Sequence, residues 1–310
     1  MVSISVLMSA CNSEAYLEEA IESVLNQTFH DFEFIIIDDG SKDATLSIAQ
    51  KYAAKDTRIV IDSHENMGLG NSLNRAMKMA KGEWIARMDA DDIMLPTRLE
   101  EQVKYLQTHT DIDVLSCWAY YINDKGHNIG KLSHPSDLQT KEDNKRYLTE
   151  NKLVHILHPG VIMRKESILS VGGYKPIVPS QDIELWNRLI EKGYIIVCVP
   201  QILMKYRIHP KSVTNANYLK TIHFDEWIGE CMRLRRQGKA EISFESFEQQ
   251  LAQNPFWVRI EKWRKMYANY AYRNAGFLLG SRKYFGFFIN LFYSFLLDPK
   301  KIIGRISRQL

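Results

Sequence analysis

The N-terminal part of this chain consists of short apolar runs alternating with helical patterns, and that alternation restricts the fold more than any other feature. Residues 4–9 form an apolar run ending at Cys11-Asn12-Ser13, after which residues 15–25 carry Leu17, Ile21, Val24 and Leu25 at helical spacing. Residues 32–37 form a β-branched-rich run that stops at Asp38-Asp39-Gly40-Ser41 and precedes a second helical pattern over 44–54. The pattern predicts a third strand at 59–61, a helix from Asn66-Met67-Gly68 to residue 81, and a fourth strand at 84–88 running into Asp89-Ala90-Asp91-Asp92. Apolar strands between helices imply an α/β fold with a mostly parallel central sheet covered on both faces. Ligands of such sheets sit at the carboxyl ends of strands, where both acidic clusters fall.

Farther along, Pro96 suits the first turn of a helix to residue 108, and Val114–Ile122 reads as a strand. Residues 123–150 read as loop with a short helix, 160–163 as a strand, 182–192 as a helix, and 194–199 and 202–208 as two strands. From about residue 218 the pattern is helical, without internal repeats. The 310 residues have room for one large α/β domain with a smaller appendage.

Asp89-Ala90-Asp91-Asp92 puts three carboxylates on one tight turn, where simultaneous ionisation is repulsive unless a cation is shared. A hard divalent ion, Mn²⁺ or Mg²⁺, is the natural partner, because it needs few protein carboxylates and takes its other ligands from water and phosphate. As a calcium loop opening at Asp89 the segment fails, since Met94 stands at the required glycine and Ile93 at a ligand position. An aspartyl phosphotransferase would continue with threonine where Ile93 stands. A solvated turn capping the next helix is the plain alternative for the cluster alone. Gly68-Leu69-Gly70 lacks the third glycine of a dinucleotide fingerprint, Leu73 standing there, which argues against a dehydrogenase.

Composition excludes disorder and fibrous repeats, with 45% hydrophobic and 25% charged residues, but says nothing of chemistry. Cys11, Cys117, Cys198 and Cys231 form no CxxC pair and read as free thiols of a reducing compartment. Asn12, Glu14, Glu18 and Glu19 are wrong for a signal peptide or N-terminal anchor, so a cytoplasmic location is expected. The net charge of +3 is unevenly spread: residues 255–310 hold eleven Lys and Arg against two acids, and the rest holds 29 basic against 35 acidic residues. Phe256, Ile260, Trp263, Tyr267 and Tyr270 recur at helical spacing, as a stripe packed on a core would. Tyr284–Leu297 is uncharged and aromatic-rich, yet shorter than the roughly twenty residues that span a bilayer. Flanked by Arg282, Lys283, Lys300, Lys301, Arg305 and Arg308, it suits an interfacial helix on an anionic membrane surface, peripheral on the inner face, or else a dimer contact. A nucleic-acid partner is not expected, because no recognition fold accompanies the basic tail.

The order Ser5-Val6-Leu7-Met8 to Asn12, Ser23-Val24-Leu25-Asn26-Gln27-Thr28, Ile37-Asp38-Asp39-Gly40-Ser41-Lys42-Asp43, Gly82-Glu83-Trp84 and Asp89-Ala90-Asp91-Asp92 resembles the family 2 glycosyltransferases of the GT-A fold. The resemblance covers residues 2–215, with Ser180-Gln181-Asp182-Ile183-Glu184-Leu185-Trp186 and Tyr206-Arg207-Ile208-His209-Pro210 as distal markers. It implies a GT-A (Rossmann-like) catalytic domain over 1–215, divided into a nucleotide-sugar-binding half at 1–110 and an acceptor half at 111–215, and then a helical C-terminal extension over 216–310. Asp39 would hydrogen-bond the nucleotide base, most often uracil of a UDP-sugar, with Ala10 and Asn12 lining the same pocket. Asp89 and Ala90 would lie near the donor's ribose and the metal, and Asp91 would coordinate the metal bridging the diphosphate. Asp182 matches the family's general base, and His209 resembles a late histidine that in some relatives approaches the metal or diphosphate.

The implied activity is inverting transfer of a sugar to a hydroxyl of a saccharide or lipid-linked acceptor, in assembly of a surface polysaccharide or glycolipid. A metal stabilises the charge developing on a diphosphate leaving group, and a positioned carboxylate takes the acceptor's proton as attack proceeds. Taken singly, Asp39 also reads as the turn residue before Gly40, Asp182 as a helix cap and His209 as a packed surface histidine. Gln181 stands where many relatives have an acid, and Gln181 to Trp186 lacks the QxxRW motif of processive synthases, so a single addition is expected. His158-Pro159-Gly160 and Gly172-Gly173-Tyr174 resemble loops near the acceptor. The alternative is a non-catalytic nucleotide-sugar-binding protein that kept the pocket and lost turnover.

Overall fold

The structure is a computed structural model that describes residues 3–133, 135–177, 179–209, 218–300 and 304. Pro210, the boundary expected at 215, and Lys301, Arg305 and Arg308 lie outside the described residues. The chain divides into two compact units, Met1–Ile122 with Lys131–Arg207, and Asn123–Gly130 with Ile208–Leu310.

The first unit opens with β1 (Ile4–Ala10), α1 (Leu17–Leu25), β2 (Phe32–Asp39), α2 (Thr45–Ala53), β3 (Ile59–His64), α3 (Leu69–Met79) and β4 (Trp84–Asp89). These four strands pair in parallel in the order β3-β2-β1-β4. Their apolar runs are continuous because both faces are covered. Val6, Met8, Phe34 and Ile36 join Leu17, Ile21 and Val24 of α1 in one core, while Leu7, Ile35 and Ile37 join Leu73, Ala76 and Met77 of α3 in another. Each such side chain contributes about 1.5–3 kcal/mol on burial, so an edge of polar residues at the strand ends is what the pattern leaves for a site.

Past the acidic turn come β5 (Ile93–Met94), α4 (Arg98–Thr108), β6 (Val114–Ile122), β7 (Asn128–Leu132), α5 (Lys141–Thr149), a 3-10 turn at His158–Gly160, β8 (Ile162–Arg164), α6 (Lys165–Ser170), α7 (Gln181–Glu191) and β9 (Ile196–Arg207). The sheet continues β4-β8-β6-β9-β5, with β6 and β9 parallel and the β4/β8, β8/β6 and β9/β5 pairs antiparallel. The architecture is thus the expected α/β sandwich, parallel in its first half and mixed in its second.

Three expectations change. The two strands read at 194–199 and 202–208 are one strand, β9, and Pro200 is accommodated by register shifts against β6 at Cys117/Trp118 and Trp118/Ala119. Pro96 precedes the N-cap residue Thr97 of α4 instead of sitting in its first turn, and its carbonyl accepts from Thr28 N at 2.9 Å. The stripe of Phe256, Ile260, Trp263 and Tyr267 is exposed, not packed.

The second unit holds α8 (Tyr218–Arg236), α9 (Phe244–Ala252), α10 (Phe256–Gly280) and α11 (Tyr284–Leu297). Phe224 of α8 stacks on Phe244 of α9 at 4.2 Å, and Trp227 Nε1 donates to Ile242 O at 2.8 Å. The helix α10 buries Met266 and the small residues Ala268, Ala271 and Ala275, and α11 folds back against it, where Ser294 Oγ donates to Ala268 O at 2.7 Å. Among the described residues no helix is long and apolar enough to cross a membrane.

Candidate active site

The carboxyl ends of β1 and β2 lie side by side, Ala10 opposite Asp38. Asn12 turns the chain out of β1 in the left-handed conformation (φ 51°), its Oδ1 accepting from Lys42 N at 2.8 Å while its own N–H donates to Ser41 Oγ at 3.0 Å. Asp39 is buried and accepts from Met67 N at 2.8 Å through Oδ1 and from Gly68 N at 3.0 Å through Oδ2. Its carboxylate therefore anchors the loop before α3, with His64 Nδ1 at 3.5 Å beside it. Gly40 has φ +68°, and a Cβ there would sit 2.6 Å from Asn66 N, so only glycine lets this loop close over the strand end. Asp39 is both a turn residue and a loop anchor, and Asn66 Nδ2 donates to its Oδ2 as well, at 3.4 Å.

Asp89, Asp91 and Asp92 bring carboxylate oxygens within 4.8 Å of one another. The turn is held from a distance. Asp92 Oδ1 accepts from Arg207 N at 2.7 Å, and Arg207 Nε donates to Asp91 O at 2.7 Å. The same guanidinium pairs with Glu19 and lies 4.6 Å from the centre of the Tyr16 ring. β5 aligns these contacts by pairing Ile93 with Lys205 and Met94 with Met204. On the other side, buried Gln27 donates to Leu95 O at 2.8 Å and accepts from Leu99 N at 3.1 Å, while Ser23 Oγ accepts from Met94 N at 3.1 Å. The Ser23-to-Thr28 motif is thus a clamp between the end of α1 and the segment after the acidic turn.

Burial raises the pKa of Asp92 well above the ordinary carboxylate value, and the charges of Asp91 and Asp89 raise it further. Asp89 is raised by burial too, against the lowering effect of Arg87. Asp92 Oδ2 is buried and has no hydrogen-bond partner among the described residues. A hard oxygen donor set, mutually repelling and with an orphaned oxygen, fits a divalent cation, which would relieve the repulsion and favour the ionised forms.

Beneath the turn lies Arg87, fully buried on β4 and ion-paired with Asp89, its Nε and Nη2 making no hydrogen bond among the described residues. Burial works against its charge, but Asp89 outweighs this and raises its pKa. Buried His158 shares a 2.8 Å hydrogen bond between Nε2 and Tyr174 OH, and burial, with Arg87 adding, pushes its pKa well below the ordinary value, so its ring is neutral. Tyr174 is held by Asn74, whose Oδ1 accepts from Tyr174 N at 2.9 Å and whose Nδ2 donates to Tyr174 O at 2.8 Å. Asp182 sits in the first turn of α7, half-buried. Burial raises its pKa, the N–H groups of Ile183 and of Asp182 itself partly offset this, and the charges of Arg87 and Asp89 reach it. Asp182 thus stands at a helix start within reach of the charges of Arg87 and Asp89.

The expected residues fall into three groups. Ala10, Asn12 and Asp39 line the ends of β1 and β2, Asp89, Ala90 and Asp91 form the acidic turn, and Asp182 shares an electrostatic field with Asp89. His209 is half-buried, two residues past the end of β9, and belongs to the second unit. Sequence reasoning passed over Arg87 and Arg207 as site residues. For Arg87 the signal was an arginine inside a strand whose neighbours read as buried, which demands a partner for the charge.

The α/β fold is similar to that of the GT-A glycosyltransferases, and solved structures of that kind superpose on it. A Pyrobaculum calidifontis mannosyltransferase in complex with GDP-Man and Mn²⁺ matches with a TM-score of 0.56 at 18% identity over 75% of this chain; the chain spans 64% of that protein. TarS 1–349 of S. aureus in complex with UDP-GlcNAc matches at 0.58 with 16% identity, over 95% of this chain and 91% of that one. At those identities the likeness speaks for the fold. In sequence, the glycosyl transferase family 2 profile matches residues 5–172. The O-antigen biosynthesis glycosyltransferase WbnJ of Escherichia coli is 34% identical over 219 residues, 67% of this chain and 81% of that protein. The chain belongs to glycosyl transferase family 2.

Proposed function

We propose that this glycosyltransferase carries out a metal-dependent, inverting single displacement in which a sugar leaves a nucleotide diphosphate, a UDP-sugar in the first instance, for an acceptor hydroxyl. The observation that carries this reading is the gathering of Asp89, Asp91 and Asp92 within 4.8 Å at the strand ends, in the electrostatic field of a second, separate carboxylate, Asp182. In this reading Asp39, Ala10 and Asn12 receive the base, and Asp89 and Ala90 line the donor beyond it. Asp91, with Asp89 or Asp92 as further candidates, would hold Mn²⁺ or Mg²⁺, which when bound would supply charge stabilisation for the departing diphosphate.

Asp182 takes the acceptor O–H proton while the oxygen attacks the anomeric carbon, and the carbon–oxygen bond to phosphate breaks with its electron pair passing to the leaving group. One base and one displacement invert the centre. We assign residues 1–110 to the donor, 111–215 to the acceptor, and 216–310 to a role outside transfer. The relative named for O-antigen biosynthesis supports a polysaccharide or glycolipid acceptor. A lipid-linked acceptor would place the chain on the inner face of the plasma membrane, and the four free cysteines suit that reducing side.

The test is a thermal-shift panel of UDP, GDP, dTDP and CDP, each with Mn²⁺, Mg²⁺ or chelator, since a ligand of the folded state raises stability by mass action. A metal-dependent shift selective for one nucleotide and lost in Asp91→Ala supports the donor site. Absence of any shift sinks it. Asp182→Asn then separates an enzyme, which loses transfer and keeps donor binding, from a binding protein, which has no transfer to lose.

A further inference from the structure

In the second unit, residues 123–130 and the turn joining α10 to α11 enclose a cavity of ≈ 740 Å³ lined by Asn123, Lys125, His127, Asn128, Arg282 and Lys283 among others, with Asp124 the one acid in its wall. Gly280 permits the close approach, because a Cβ there would lie 2.6 Å from Ile129 Cβ. Immediately after Lys283, α11 presents an apolar face on which Phe285, Phe288, Ile289, Phe292, Tyr293 and Leu296 are exposed, Phe285 at 83%. Such a contiguous patch marks an interaction surface.

Charge decides what covers it. Between Glu261 and Asp298 the chain carries Lys262, Arg264, Lys265, Arg273, Arg282 and Lys283 and no acid. Lys262 pairs with Glu226, and Arg264 and Lys265 with Glu261, whereas Arg282 and Lys283 are exposed and make no ion pair among the described residues. A second copy docking through the same face would set these cations against their own equivalents, with no acid in the segment to meet them. A phosphate-bearing lipid surface meets both features at once.

We propose that α11 lies in the interface of an anionic membrane, its aromatic face among the acyl chains, and that the cavity at the α10–α11 turn receives a phosphate-bearing lipid headgroup. Its fourteen residues are about 21 Å long, short of the roughly 30 Å hydrocarbon core, so α11 lies along the surface and does not span it. Exposed Phe and Tyr beside Lys and Arg are the composition of such a helix. The proposal stands independently of the transfer reading, since none of its residues is among those assigned to the nucleotide, the metal or the catalytic base.

The test is flotation of the full chain with vesicles of phosphatidylcholine alone and of phosphatidylcholine mixed with phosphatidylglycerol. The wild type is expected on the anionic vesicles, less so as salt rises. Arg282→Ala and Lys283→Ala should each lower partitioning about fivefold, a surface cation being worth about one power of five in such binding. Combined Phe285→Ser, Phe288→Ser and Phe292→Ser should abolish it. Lys125→Ala, remote from α11 in sequence, reads the cavity without touching the apolar face and should lower binding alike. Equal binding to neutral vesicles, or none to anionic ones, overturns the proposal. Wild-type binding by all three cation variants overturns the headgroup cavity. Release from vesicles by inorganic phosphate assigns the cavity to free phosphate and not to a lipid. A dimer in sedimentation velocity that Phe288→Ser dissolves, without vesicle binding, assigns the face to a second copy.

Discussion

Arg207 holds the backbone of Asp91 and the side chain of Asp92 from a position 115 residues beyond Asp92. Its guanidinium is buried against Glu19 and the Tyr16 ring, so Arg207→Ala should remove the tether to Asp91 O and the pairing with Glu19, while the main-chain N–H at 207 still donates to Asp92. We expect a loss of about 3 kcal/mol in urea unfolding, and a weaker response of the melting temperature to divalent cation. Arg207→Lys keeps the charge but not the fork that spans two partners, and should recover only part of that loss. For Asp182, replacement by asparagine should lower kcat at least 100-fold with donor affinity unchanged, as measured by isothermal titration. Its pKa is raised by burial, and a base acts as the carboxylate. The acid limb of kcat/KM against pH should therefore lie above the ordinary aspartate value, activity falling as pH drops through it.

At the scale of elements, the clamp formed by Gln27 joins α1 to the start of α4, with three hydrogen bonds between them and the Ser23 carbonyl. Gln27→Ala leaves Leu95 O and Leu99 N without those partners in a buried setting, and should cost about 2–4 kcal/mol in thermal unfolding. β1 to β4 and the helices between them were legible because a strand buried on both faces is an apolar run and an amphipathic helix repeats its apolar positions. β5 has two residues and β8 three, too few for any period to show. β9 was read as two strands because Pro200 breaks the ladder locally, and only the partner strand's shift in register reveals that the chain passes straight on. Asp39, Asp91 and Asp182 were visible from motif order. Arg207 was not, since a buried charge acquires meaning only from what it meets, and its partners Asp91 and Asp92 belong to a different stretch of chain from β9, while Arg87 pairs with Asp89 on its own strand, a contact that only the folded turn shows.

For the whole molecule, the crowded carboxylates couple stability to both metal and pH. The raised pKa values of Asp89 and Asp92 mean that the folded chain holds protons more tightly than the unfolded one. Without a divalent ion, stability should therefore fall as pH rises from the unfolded aspartate value of about 3.9 through the raised folded values. Mn²⁺ or Mg²⁺ should restore it, so the rise in melting temperature on adding metal should be larger at neutral pH than at pH 5. A chelator should reverse the rise, and differential scanning fluorimetry across pH reads both effects.

The pairing of β5 with β9 also has a consequence in time. A ribosome delivers Asp89 to Asp92 long before Arg207, and β4 acquires its antiparallel neighbour β8 only after the intervening segment has emerged. A nascent chain arrested between Asp92 and β9 carries every acid of the cluster but lacks the strand that draws the turn into shape. Cation binding by ribosome-bound intermediates should switch on late and abruptly, at the length that frees Arg207 from the exit tunnel, making the site a timer for completion of this unit.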